Sequence, residues 1–94
     1  MEYNTFEADV NGKDDLGNNT ALIYGCSGLT GNGGKTLIVV IHHTSENKFV
    51  VDFIDEDYKS NEKVNELILD AKEELTAKRE MQTALEPEFA IEAI

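Results

Sequence analysis

Apolar and polar residues alternate at the start of the chain: Phe6, Ala8 and Val10 are interleaved with Thr5, Glu7 and Asp9. This period of two predicts a strand over 3–10 with one apolar and one polar face. Asn11–Asn19 is dense in Asn, Asp and Gly and reads as a loop or wide turn. A second short strand is expected over 20–25, with Leu22, Tyr24 and Cys26 sharing a face. Gly25–Gly34 then holds five of the seven glycines, a density that excludes helix. Lys35–His43 (KTLIVVIHH) is β-branched and apolar on both faces, as in a strand covered on both sides. After the polar tetrad Thr44–Asn47 the alternation resumes over 48–54, where Phe49, Val51 and Phe53 form one face. So short a link predicts an antiparallel hairpin at the centre of the sheet.

From Ser60 the period changes to 3.6. Val64, Leu67, Ile68, Ala71 and Leu75 fall on one stripe, which predicts a helix over about 60–85 capped by Asp57 or Ser60. Lys78, Arg79 and Gln82 interrupt the stripe, and Pro87 is expected to stop the helix. A short apolar tail over 88–94 would follow. The expected fold is a single α+β domain of residues 1–94, an antiparallel sheet of about four strands with one long helix on one face. Such a helix would be about 40 Å long, against about 30 Å for a compact domain of this size. Either Pro87 turns the tail back onto the second sheet face, or the tail packs on another subunit. Met81, Leu85, Phe89, Ile91 and Ile94 are the expected contacts of a homodimer, since left exposed they would promote aggregation.

Composition narrows the function. Leu, Ile, Val and Phe make up 25 of 94 residues, enough for a small core. Eight basic residues stand against 19 acidic ones, a net charge of −11. That excludes direct nucleic-acid binding, which needs a basic face. The longest apolar run, Leu37–Ile41, is far short of a membrane span. A lone Cys26 and no N-terminal signal pattern point to a reducing, cytoplasmic setting.

Three motifs invite chemistry and fail on their spacing. Gly28–Thr36 approaches the phosphate-binding loop, but the first glycine is one position early, Leu29 stands in its place, and a strand follows where a helix is needed. Asp55, Asp57 and Glu66 match calcium-loop positions, yet Lys59 and Ser60 occupy those of a ligand and the turn glycine. His42 and His43 are adjacent on a strand and leave it on opposite faces, so one should pack inward and the other meet solvent. No metal, cofactor or catalytic set is expected, and Ser27, Cys26, the histidines and Asp52 carry no nucleophile signature.

The acidic face is the feature that exceeds background. Residues 52–94 carry 13 acids against five bases. Glu62, Glu66, Asp70, Glu73 and Glu80 line the helix side opposite the apolar stripe. Carboxylates at i, i+4 rise about 6 Å apart, comparable with phosphates along a nucleic-acid strand. Glu62–Glu66, Glu66–Asp70 and Asp70–Glu74 are like-charge pairs that each cost a helix about 0.2–0.5 kcal/mol.

The expectation is a non-enzymatic protein that binds a basic surface of a protein partner through Asp55, Glu56, Asp57, Glu62, Glu66, Asp70 and Glu73. Its most concrete form is an inhibitor mimicking nucleic acid, of the kind phages and other mobile elements use against host defence. The alternatives are an oligomeric assembly protein, or a small-molecule-binding or enzymatic domain built on Gly25–Gly34. The bland reading of the charge is solubility.

Overall fold

The structure is a computed structural model that describes the backbone of residues 3–27 and 34–93, and side chains among these as far as Met81. Strands β1 (Thr5–Lys13), β2 (Asn19–Ser27), β3 (Gly34–His43) and β4 (Phe49–Phe53) form an antiparallel sheet in the order β1-β2-β3-β4. A 3-10 turn over Glu56–Tyr58 leads into the helix α1 (Glu62–Ala93). The architecture is the expected α+β meander with one helix. The Gly25–Gly34 connection falls largely outside the described residues.

Two of the three links between strands share one design. In Asp14–Asn18 the Asp14 N–H donates to Asn18 O (2.9 Å), and Gly17 takes φ = 82°. In Thr44–Lys48 the Thr44 N–H donates to Lys48 O (2.8 Å), and Asn47 takes φ = 63°. Each is a tight turn closed by one left-handed residue, which Gly and Asn tolerate best. The turn at Asp14 explains why β1 is longer than its alternation suggested. Asn11, Gly12 and Lys13 continue the strand past a register shift between Asp9 and Gly12, so the expected loop over 11–19 shrinks to 14–18.

A second register shift, between Ile23 and Tyr24, accounts for the doubly apolar look of β3. Ile23 pairs with Val39 and Tyr24 with Leu37, leaving Ile38 unpaired between them. Ile38 and Val39 are consecutive and both fully buried, which simple alternation cannot achieve. The core is Ala21, Ile23, Ile38, Val39 and Ile41 against Val64, Ile68, Ala71 and Leu75. Gly25 belongs here too. A Cβ on it would come within 2.6 Å of the Tyr3 ring, which packs with Phe6 and Tyr58 over that end of the sheet. On the opposite face Leu22, Tyr24, Leu37 and Val40 are half-buried and Val50 is exposed. Among the described residues no helix packs there.

The N-terminus of α1 corrects the expected cap. Asn61, rather than Asp57 or Ser60, accepts from the N–H groups of Lys63 (3.0 Å) and Val64 (3.2 Å). Asn is as good a cap as Asp or Ser, and its position one residue before Glu62 decides the matter. The C-terminus corrects another expectation. α1 continues through Pro87 to Ala93, so residues 88–93 extend the helix instead of forming a separate tail. Proline removes one helical hydrogen bond and bends the axis, while Ala84, Leu85, Glu86 and Ala90 around it are good helix formers. At 1.5 Å per residue α1 is about 48 Å long, and the molecule measures 57 × 26 × 22 Å. The helix reaches out; it does not fold back.

Candidate partner-binding face

Near 100° per residue, Val64, Ile68, Ala71 and Leu75 place the inward side of α1, and the outward side follows. Glu62, Glu66, Asp70, Glu73 and Glu80 lie outward, and all are exposed. They follow one line along the helix, with exposed Leu69 beside it and Ala77 between Glu73 and Glu80. Glu56 and Asp57 are exposed in the 3-10 turn that precedes it. Asp55 is different: it is half-buried, and its Oδ1 accepts from the Asp57 N–H (3.1 Å). Its carboxylate caps the turn and is the least available of the expected contact residues.

Three of the four basic residues of α1 lie elsewhere, and the fourth, Lys63, is exposed beside Glu66 and Asp70. Lys78 Nζ donates to the Val10 carbonyl of β1 and to Asn11 Oδ1 (3.0 Å). Arg79 donates to the Ser45 carbonyl in the β3–β4 turn (2.7 Å). Lys72 sits over the Phe49 ring, 5.7 Å from its centroid. These cations flank the apolar stripe and lay their stems along it while their charged heads reach the sheet edges. The interruption of the stripe after Leu75 is therefore the place where apolar packing gives way to polar clamps. Among the described residues, ion pairs join Lys35 to Glu7 and Lys48 to Glu46, while the His42 ring lies against the Asp14 and Asp52 carboxylates. No ridge carboxylate takes part in one.

The two histidines separate as their adjacency requires. His43 is fully buried under α1, stacked on Phe49 with ring centroids 4.4 Å apart. Its Nε2 donates to Asn47 Oδ1 (2.6 Å), and its Nδ1 is buried without a partner among the described residues. His42 lies on the other face, with Nδ1 3.3 Å from Asp14 Oδ2 and Nε2 3.9 Å from Asp52 Oδ2. Asp14 is largely committed to its own turn, accepting from the N–H groups of Leu16 and Asn18 and from the Asn18 amide. Desolvation pushes the Asp14 carboxyl up, but the Asn18, Leu16 and His42 bonds outweigh it and hold the group below its ordinary value. The His42 cluster therefore ties the β1–β2 turn to β3 and β4, a structural latch.

Lys35 and Thr36 open β3, and the Glu7 carboxylate keeps the Lys35 ammonium above its usual range. Cys26 is half-buried on β2. Among the described residues no group of three or more His, Cys, Asp or Glu is placed to hold a metal, and no helix is long and apolar enough to cross a membrane. Met81 is exposed. The side chains of Leu85, Phe89 and Ile91, and all of Ile94, lie outside the described residues. The chain matches no protein-family model, no curated protein and no solved structure.

Proposed function

We propose that this protein acts without catalysis, by laying the outer face of α1 on a basic surface of a protein partner in the manner of a nucleic-acid strand. Charge segregation carries the reading. Three of the four cations of α1, Lys72, Lys78 and Arg79, are drawn to the sheet, only Lys63 stands beside the acids, and the ridge Glu62–Glu80 is left without an ion pair among the described residues. A surface needed only for solubility gains nothing from such sorting, since interspersed charges serve equally well. The like-charge pairs along the ridge cost helix stability, and the partner's cations would relieve that cost on binding. Fields of this sign steer a basic partner and repel nucleic acid itself.

The test is capture of a partner from cell lysate at low and high salt, followed by competition. A nucleic-acid oligomer that displaces the protein from the captured partner supports mimicry; coexistence of the two on the partner contradicts it.

A second reading concerns the far end of α1. The helix, about 48 Å long, outruns β3, whose ten residues span about 33 Å. Met81, about 18 Å before that end, is exposed. We infer a homodimer contact there through Met81, Leu85, Phe89, Ile91 and Ile94. Sedimentation of the full chain tests it, and a monomer at high micromolar concentration would overturn it.

A further inference from the structure

Between the free edge of β1 and the ridge side of α1 lies a groove of about 280 Å³, lined by Thr5, Phe6, Lys63, Glu66, Leu67 and Asp70. Phe6 also lines an adjoining hollow of about 300 Å³ with Tyr3, Tyr58 and Asn61. The floor is apolar and aromatic: Phe6 and Leu67 are half-buried, and the Phe6 and Tyr58 rings meet edge-on at 5.7 Å. The helical wall is acidic. Glu66 and Asp70 stand one turn apart, about 6 Å along the axis, with Glu62 a turn before them. Lys63 is the one cation on that wall. Among the described residues β1 pairs only with β2, and its other edge lies beside the groove. Further along the same side of α1, Lys78 donates to the Val10 carbonyl.

We propose that this groove receives an arginine-bearing segment of the protein partner. The guanidinium donates to Glu66 and Asp70 while its plane, or a neighbouring aliphatic side chain, rests on Phe6 and Leu67. Charge complementarity selects a cation over a neutral side chain, and the aromatic floor selects the flat, weakly hydrated guanidinium over an ammonium. An apolar anchor beside paired charges is also how binding energy concentrates at interfaces. The proposal rests on the reading of α1 as the partner-binding face and places the centre of that contact on its β1 side, toward the N-terminal end of the ridge.

The experiment is a nuclear magnetic resonance titration of the full chain with acetyl-arginyl-leucine amide, against its lysine and citrulline counterparts. Saturable amide shifts at Phe6, Leu67 and Asp70 are expected with the arginine probe, weaker with lysine and lost with citrulline. The folded double variant Glu66→Gln, Asp70→Asn should lose them, whereas Glu73→Gln, Glu80→Gln should keep them. Equal shifts with arginine and citrulline, or shifts spread evenly along the ridge, would overturn the groove. A parallel titration with polylysine separates this from the broader reading. Salt-sensitive polylysine binding that needs Glu73 and Glu80, with no arginine site at Phe6, would leave the ridge standing and remove the groove.

Discussion

Lys78 and Arg79 are neighbours in sequence and bind opposite sides of the sheet, Lys78 at the Val10 carbonyl of β1 and Arg79 at the Ser45 carbonyl of the β3–β4 turn. The turn of about 100° between successive helical residues makes this divergence possible. Together they straddle the core stripe and hold α1 across the sheet beyond Leu75, its last buried residue among the described side chains.

Removing either clamp should loosen that part of the helix without unfolding the core. Hydrogen bonds from charged donors contribute about 1.5–3 kcal/mol when well shielded, and partial exposure brings the expectation here to about 1 kcal/mol each. Lys78→Met, which keeps the apolar stem, isolates the bond itself. Urea denaturation should show a small loss, and amide exchange should quicken over residues 76–81 while staying slow at Ala71 and Leu75. Unchanged exchange would mean the clamps do not hold the helix.

Asn47 carries two duties, a left-handed φ of 63° and the hydrogen bond to the buried His43 Nε2. Asn47→Ala should fail at both and cost about 2–3 kcal/mol, the sum of a backbone penalty and an unpaired buried donor. Asn47→Gly relieves the backbone and loses only the bond, so it should cost distinctly less. Equal losses in thermal melts of the two variants would assign the whole effect to His43.

Much of this was legible in the sequence, for identifiable reasons. Period-two and period-3.6 patterns report burial directly, and they placed four strands, the Val64–Leu75 stripe and the outward carboxylates. Register shifts leave no such trace. The unpaired Ile38 made β3 look covered on both faces, and the shift at Asp9–Gly12 hid the end of β1 inside a polar stretch. Lys78 and Arg79 looked like breaks in an apolar face because the pattern registers polarity alone. Their flanking positions were the available signal that they reach the sheet. Asp55 looked equivalent to Asp57 until the 3-10 turn claimed its carboxylate.

The Asp14 carboxyl sits below its ordinary value of 3.8, so the folded state binds its proton less readily than the unfolded chain. Its contribution to stability is complete above the unfolded value and is lost as pH falls below about 4 and through the depressed folded value. Asp14→Asn keeps an oxygen for the Leu16 and Asn18 N–H groups but cannot titrate. Between about pH 7 and about pH 3 the wild type should lose more of its urea resistance than this variant. Parallel curves would mean that the turn bonds to Asp14 do not hold its carboxyl down.

The central claim is that the outward carboxylates of α1 bind a partner rather than merely keep the chain in solution. The direct measurement is equilibrium binding of the captured partner, across a salt series, to the wild type and to a variant with Glu62, Glu66, Glu73 and Glu80 each changed to Gln. Relief of the Glu62–Glu66 and Glu66–Asp70 repulsions, about 0.2–0.5 kcal/mol each, offsets the loss of the Glu62 charge at the helix N-terminus, so the variant should stay about as stable as the wild type. Its affinity should nonetheless fall by roughly tenfold or more, about 1.4 kcal/mol, with a flatter dependence on salt. A folded variant that binds as tightly as the wild type, with the same salt dependence, would contradict the claim.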